Sequence, residues 1–458
     1  MDFIRPIAKH VLEPIIAFRE GSNHLAILRE LEKSQYYPPG QIQELQLDRL
    51  KRLLLHAQQH CRFYTRRFAN VGFDPARMQS PSDFEKVPYL TKSDIQNHRD
   101  QMTANNMRPD QLVRNQTGGS TGAPLRFYLD RERMFSRKAS TMRHDRWAGW
   151  DIGRKMAVLW GYRPDFAPWK SLKAGVRATL LDRRLTFDTS DITPARLADF
   201  VRRLRRFKPA IYLAYANSMY LYARYLRQQN VRDYHRPRSI ITSAELLTEE
   251  QRTLIEEVFE CKVYDRYGCR ETSVIASGCP EHSGLHIGSE TLYVEFRRAI
   301  RASQPGEPGR IVITDLLNFG MPLIRYEIED MGTPLSTSCA CGRTLPLMRM
   351  AGGRTTDFLV SPHGRVVSGA SLTIYFVAVV PGVAQAQLVQ HKKDLLTIRI
   401  VRSDGFGPKS EQAVQAKVME FFGPDMKHEL EFVDNIPTEP SGKHRFSVSE
   451  IDPLEYLV

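Results

Sequence analysis

The chain has 458 residues, 42% hydrophobic and 26% charged, which is ample material for more than one core. It contains no run of roughly 18 apolar residues, which argues against a membrane-spanning helix. The net charge is +13 and unevenly placed: residues 1–353 carry a surplus of 15 positive charges and residues 354–458 a balance of −2, so the first part suits anionic ligands such as nucleotides or coenzyme A.

The first residues, MDFIRPIAKHVLEPIIAFREG, alternate apolar with charged side chains and include Pro6 and Pro14, unlike the unbroken apolar centre of a secretory leader. They are expected to form a short amphipathic helix pair packed on the protein's own body, with a membrane surface as the alternative resting place. Leu47, Leu50, Leu53, Leu54 and Ala57 recur at helical spacing and predict an amphipathic helix within residues 43–70. Ser82 and Thr91 are expected to cap the helices that follow. Strands are predicted at 156–162, 211–215, 241–248 and 261–268, with helices at 194–207, 217–229 and 248–260. Thr248 caps the last of these helices and Gln251 completes a capping box. Such alternation implies a mainly parallel α/β sheet. The arginines of RRLRRFK (202–208) surround Val201, Leu204 and Phe207 on a helix and read as a solvated face, so no nucleic-acid partner is expected.

After Gly284 strands dominate, suggesting an antiparallel or barrel-like subdomain. A boundary is placed at 353/354, where Gly-Gly-Arg punctuates the chain and the charge balance turns. A smaller unit follows, with strands at 356–360, 385–390, 395–401 and 428–433 and a helix at 409–422. The fold class is therefore α/β: a large N-terminal domain with a strand-rich subdomain, and a small C-terminal α+β lid domain.

Residues 117–125, TGGSTGAPL, have the parts of a phosphate loop: glycines that admit close backbone approach, and three hydroxyls. By itself such a run reads as a flexible turn, and it lacks the Gly-Lys-Ser/Thr ending of a Walker loop. Neither a dinucleotide fingerprint nor a serine nucleophile elbow occurs. Downstream, YGCRET (267–272) sets Tyr267 and Glu271 in a turn after a strand, RYEIED ends in Asp330, and IPTEPSGKHRF places Lys443 in a glycine-containing loop.

This succession resembles the adenylate-forming superfamily of acyl-CoA synthetases and adenylation domains, and within it the phenylacetate-CoA ligase and CapK-like branch, on TGGSTGAPLRF, PLIRYEIED and CACGRTLP. The resemblance implies ATP-dependent conversion of a small carboxylic acid to an acyl adenylate, with release of pyrophosphate and transfer of the acyl group to coenzyme A. Transfer to an amine or a carrier-protein thiol is the alternative, and a non-catalytic scaffold with a basic binding face is a reading of another class.

The resemblance also implies roles. Thr117, Gly118, Gly119, Ser120, Thr121 and Gly122 would hold the ATP phosphates, and Ser243, Ala244, Glu245 and Tyr267 would line the adenine pocket. Glu271 would bind Mg²⁺, Asp330 the ribose, with Arg354 nearby, and Lys443 would bridge the carboxylate and the α-phosphate. The C-terminal domain would swivel between the two half-reactions. The chain departs from the family pattern at Leu125, where the loop commonly ends in lysine, and at Glu327–Glu329 within the ribose motif.

The six cysteines fall at 61, 261, 269, 279, 339 and 341, a distribution that favours a reducing, cytoplasmic setting over a disulfide framework. Cys279, His282, Cys339 and Cys341 form a candidate structural zinc set, with His286 as the competing histidine and incidental buried cysteines as the alternative. The acyl pocket is expected between residues 211–220 and 241–247.

Overall fold

A computed structural model of the chain describes residues 2–117, 125–161, 178–298, 301–351, 358–369, 372, 380–437, 445–451 and 456. One large twisted sheet organises the body. Its parallel half comprises β3 (Met156–Trp160), β4 (Arg184–Asp188), β5 (Ile211–Tyr215), β6 (Ser239–Ser243) and β7 (Lys262–Cys269), in the spatial order β4-β3-β5-β6-β7. The antiparallel half adds β8 (Ser273–Gly278), β9 (Leu285–Ile287), β10 (Leu292–Arg297), β11 (Gly309–Asp315), β12 (Tyr326–Leu335) and β13 (Leu347–Met350), in the order β8-β9-β13-β12-β11-β10. The strand-rich region expected after Gly284 is therefore antiparallel but continues the same eleven-stranded sheet. The short β7–β8 hairpin joins the halves, pairing Cys269 with Ser273.

The central parallel strands β3 and β5 are apolar on both faces, as strands between helices tend to be. The helices at Pro194–Phe207, Ala216–Gln228 and Glu249–Phe259 pack Leu197, Phe200, Leu204, Met219, Tyr222, Ile255 and Phe259 against one face. Thr248 caps the last of them with the expected reciprocal bonds to Gln251. Thr91 likewise caps its helix, whereas the preceding cap is Ser80 and not Ser82: Pro81 begins that helix and the Asp83 carboxylate accepts from the Ser80 N–H at 3.1 Å. The long amphipathic segment is two helices, Pro39–His60 and Arg62–Asn70, broken where Cys61 turns extended (φ −120°, ψ 106°).

A separate antiparallel pair, β1 (Leu112–Gln116) and β2 (Arg126–Asp130), flanks the glycine-rich segment in the sequence. The C-terminal part contains the ribbon β14 (Phe358–Val360) with β15 (Val366–Ser368), and a sheet of β16 (Val383–Lys392), β17 (Leu395–Arg402), β18 (Lys427–Phe432) and β19 (Ser447–Ser449) covered by the helix Pro408–Phe422. Alternation along the ribbon sends Phe358, Val360 and Val366 into the body core and Leu359 and Val367 into the C-terminal core. The expected boundary at 353/354 lies outside the described residues.

Candidate active site

Ligands of open α/β sheets sit beyond the carboxyl ends of the strands. At that edge Ser243 ends β6 and donates its hydroxyl to the Arg266 carbonyl of β7 at 3.1 Å. Ala244 follows in a left-handed conformation (φ 70°), which turns Glu245 back toward the neighbouring strand. The nearly buried Glu245 accepts from the backbone N–H of Asn217 at 2.9 Å and from its side chain at 3.3 Å. Asn217 opens the helix after β5, so Glu245 places a carboxylate at a helix N-terminus, where it is electrostatically favoured. Of the expected acyl-pocket segment, Tyr212 is instead a core residue that donates to the His235 carbonyl, and Tyr215 stacks on Trp160 at 4.0 Å.

The β7–β8 turn brings two distant motifs together. Tyr267 donates to the Asp330 carboxylate at 2.7 Å, and Tyr326 donates to the Glu271 carboxylate at 2.9 Å. Gly268 is required here, since a Cβ would lie 2.5 Å from the Ser273 carbonyl oxygen. Asp330 reaches β7 because β12 bulges: Arg310 pairs with Met331 and Val312 with Glu327, leaving Ile328–Asp330 opposite a single β11 residue. Glu329 takes a left-handed φ of 62° within this bulge and its side chain pairs with Lys92. Burial, reinforced by the Asp330 charge, pushes the Tyr267 phenol well above its ordinary range; burial and Glu271 do the same for Tyr326. Both therefore remain hydrogen-bond donors at any physiological pH. Burial also raises the Cys269 thiol.

Two arginines of the helix Arg131–Trp147 hold the backbone on either side of Glu271. Arg133 donates to the Thr272 carbonyl and Arg137 to the Arg270 carbonyl, both at 2.9 Å. Arg133 is fully buried, and its Nε pairs with the equally buried Asp315 at 2.7 Å. Burial, with Arg133 next to it, lowers the Arg137 guanidinium to about 10. Sequence reasoning missed Tyr326, Arg133 and Arg137; the available signals were the tyrosine second in RYEIED and two arginines four apart in RERMFSR.

At the base of the glycine-rich loop, the Thr117 N–H donates to the Leu125 carbonyl and the Leu125 N–H to the Thr117 hydroxyl, both at 3.0 Å. Leu125 is buried in the core cluster that also contains Tyr326, with Tyr267 packed against it. The residue after Pro124 is thus a core position, which accounts for leucine in place of a cation, while Arg126 points outward from β2. Gly118, Gly119, Ser120, Thr121, Gly122, Arg354 and Lys443 lie outside the described residues.

The cysteine cluster corrects one expectation. The ligand atoms of Cys279, His286, Cys339 and Cys341 lie within 4.8 Å of one another. His282 is not among them: its ring nitrogens face Arg252 at 3.0 Å and Glu256 at 3.6 Å. The reason is register, since β8 and β9 pair Ser277 with His286 and so bring His286 beside Cys279. The Cys279 and Cys339 sulfurs stand 3.4 Å apart, well beyond the ~2.05 Å of a disulfide. Burial drives the His286 imidazolium down to about 4, so the ring is neutral; its Nδ1 faces the Leu345 carbonyl at 3.3 Å, leaving Nε2 toward Cys341. Burial opposes ionisation of Cys341, but hydrogen bonds from Arg343 prevail and lower its thiol. Three sulfurs and one oriented imidazole fit a tetrahedral zinc ion.

The segment 359–450 matches the CapK C-terminal domain. Protein CapK of Staphylococcus aureus is 23% identical over 429 residues, 89% of each chain, and the phenylacetate-coenzyme A ligase of Pseudomonas putida is 26% identical over 330 residues, 70% of this chain and 72% of the ligase. The chain is homologous to CapK and the phenylacetate-CoA ligases. This CapK and phenylacetate-CoA ligase homologue shares its fold with 2-hydroxyisobutyryl-CoA ligase, solved with 2-HIB-AMP and CoA in the thioesterification state (TM-score 0.62, 21% identity, 92% of each chain) and with R3-HIB-AMP in the postadenylation state (TM-score 0.59, 20% identity). The architecture is that of the adenylate-forming enzymes.

Proposed function

We propose that this acid-CoA ligase-like enzyme activates a carboxylic acid as its acyl adenylate and transfers the acyl group to coenzyme A. In the first step the substrate carboxylate attacks the α-phosphorus of ATP and pyrophosphate leaves. In the second the thiolate of coenzyme A attacks the acyl carbonyl and AMP leaves. The observation that carries this reading is the pair of contacts Tyr267–Asp330 and Tyr326–Glu271, which gathers two motifs distant in sequence beyond the carboxyl ends of β6 and β7.

In this reading Asp330 accepts from the ribose hydroxyls, with Arg354 beside it, while Ser243–Glu245 and Tyr267 flank the adenine. The loop from Thr117 to Gly122 offers backbone N–H groups and hydroxyls to the phosphates. Glu271 would hold Mg²⁺, and its buried carboxylate, steered by Tyr326, suits a hard cation. When bound, the ion would offset phosphate charge. Lys443, in the C-terminal domain beginning at 354, bridges the two anionic reactants, which otherwise repel each other, and stabilises the charge of the transition state. Cys279, His286, Cys339 and Cys341 would hold a structural zinc ion that ties β8 and β9 to the segment preceding β13. The surplus of positive charge in residues 1–353 favours capture of a nucleotide and of the polyanionic acceptor.

The test is exchange of labelled pyrophosphate into ATP with a panel of aryl, aliphatic and amino acids, followed by product identification by mass spectrometry after addition of coenzyme A. Acid-dependent exchange and a CoA thioester are expected, with exchange abolished in Lys443→Ala. Exchange with no acid of the panel would overturn adenylation. Exchange that survives Lys443→Ala would remove the lysine's role, and an amide or carrier-bound product would replace coenzyme A as acceptor.

A further inference from the structure

Residues 4–19 form one continuous helical run: α-helix over Ile4–Ile7, a wider π-turn over Ala8–Leu12, and α-helix again over Glu13–Arg19. Pro14 lacks an N–H and crowds the carbonyl four residues earlier; the wide turn just before it, where the Glu13 N–H bonds to the Ala8 carbonyl five residues back, accommodates the ring.

One side of the run is bolted to the body. Ala8 and Ala17 are buried, Leu12 and Ile16 pack with Leu28, Leu31, Ala139 and Met142, and a Cβ on Gly153 would come within 2.9 Å of the Ala8 methyl. The polar anchors lie on this side as well. Lys9 pairs with Asp151 at 2.7 Å, Asp2 with Arg183 at 2.8 Å, and the buried Glu13 with His24 at 2.8 Å and with Lys138.

The opposite side is apolar and, among the described residues, uncovered. Phe3, Ile4, Ile7, Val11, Ile15 and Phe18 follow the three- and four-residue steps of a single helical stripe and are 73%, 37%, 51%, 48%, 49% and 87% exposed. They are six of the nine exposed large hydrophobic residues among those described, so the apolar surface is concentrated on this one ridge. The run is thus apolar on two sides: Ala8, Leu12, Ile16 and Ala17 face the protein, and the Phe3–Phe18 stripe faces out. No described helix is long and apolar enough to cross a membrane.

We propose that this ridge seats the protein on an anionic bilayer surface, the helix lying in the interfacial plane with its outward side chains among the acyl-chain boundary. Charge selects this occupant. The chain carries +13, which an anionic lipid surface attracts, whereas a second copy brings the same net positive charge. Arg19 and Arg131 lie exposed at the Phe18 end, where Arg131 also donates to the Glu20 carbonyl. The packing expected from the sequence and the membrane contact are therefore two faces of one element.

The experiment is flotation of the full chain with vesicles of phosphatidylcholine alone or mixed with phosphatidylglycerol, at low and high salt. Wild-type protein is expected to float with the anionic vesicles, less so at high salt, and weakly or not at all with phosphatidylcholine. The triple variant Ile7→Ser/Val11→Ser/Ile15→Ser, whose changes are all at exposed positions, should partition at least about tenfold less, given the contribution of each inserted methylene. Ile7→Leu/Val11→Leu/Ile15→Leu should retain wild-type partition, and circular dichroism establishes that both variants fold. Equal flotation of wild type and the serine variant, or equal binding to both lipid mixtures, would overturn the proposal. So would an absence of flotation accompanied by a dimer, seen in sedimentation, that the serine variant loses, since the ridge would then pair with a second copy.

Discussion

The buried pair Arg133–Asp315 gives the sharpest energetic test of how the candidate site is held. Arg133→Met removes three interactions at once: the 2.7 Å pair with Asp315, the 2.9 Å bond to the Ser136 hydroxyl and the 2.9 Å bond to the Thr272 carbonyl. Asp315, itself fully buried, keeps only its 3.2 Å bond from the Leu317 N–H among the hydrogen bonds described for its carboxylate. Burial already raises the Asp315 carboxyl above its ordinary range with the arginine present, and removing that cation leaves only Arg137 and the Leu317 N–H to offset it. Breaking a buried pair by deleting one partner costs about 3–5 kcal/mol, whereas replacing both partners with apolar groups is close to neutral. Urea unfolding followed by tryptophan fluorescence is the assay, since Trp147 ends the helix that carries Arg133. Arg133→Met is expected to lose stability in that range. Arg133→Met/Asp315→Leu should recover much of it, with a coupling of about 3 kcal/mol in the double-mutant cycle. A loss below about 1 kcal/mol for the single variant, or a double variant less stable than the single, would refute the reasoning.

Tyr267→Phe deletes the hydrogen bond to Asp330, and bonds to charged groups contribute about 1.5–3 kcal/mol. Initial-rate kinetics should show the KM for ATP rising about tenfold or more with kcat changed less, and an unaltered KM would detach Tyr267 from nucleotide binding. His286→Ala and Cys341→Ser should abolish bound zinc in elemental analysis while His282→Ala retains about one equivalent; loss in His282→Ala alone would return the ligand set to the other histidine. Burial would raise the Glu13 carboxyl, but hydrogen bonds from His24 and Lys138 outweigh it and hold the group at about 2, against 4.5 unfolded. The resulting stabilisation, roughly 3 kcal/mol, is fully present above pH 4.5 and is lost as pH falls toward 2. Fluorescence of Trp150, which packs beside the same helix, should report that loss in wild type; a Glu13→Gln variant with an unchanged acid profile would exclude the mechanism.

Much of the fold could be read from local signals. The Thr248 and Thr91 caps and the helix at 194–207 follow from side chains competing for a few backbone groups, an interaction confined to neighbouring residues. The break at Cys61 was not legible, because the apolar period continues through it. Nor was the attachment of the strand-rich region to the same sheet, where β10–β13 join through the pairing of Leu347 with His286 across distant segments. The same distinction separates the candidate site residues. Glu271 and Asp330 announce themselves within their motifs, but the tyrosines that reach them are set by the β12 bulge, and the choice of His286 over His282 is set by the β8–β9 register. Both depend on tertiary structure that no local pattern encodes.

The β7–β8 hairpin also bears on the order in which the chain folds. Its pairing closes over the three residues Arg270–Thr272 and that of β8 with β9 over the short turn from Gly278 to Leu285, whereas pairings farther out in the sheet join distant segments, Met156 with Ile211 and Leu347 with His286. Local pairings form fastest, because little chain entropy is lost in closing them. The turn that carries Glu271 is thus positioned to serve as the early seed from which both halves of the sheet grow. Substitutions that loosen it are expected to slow refolding in stopped-flow mixing and, under the proposed role of Glu271, to lower turnover as well, so one short turn would couple the speed of folding to the chemistry.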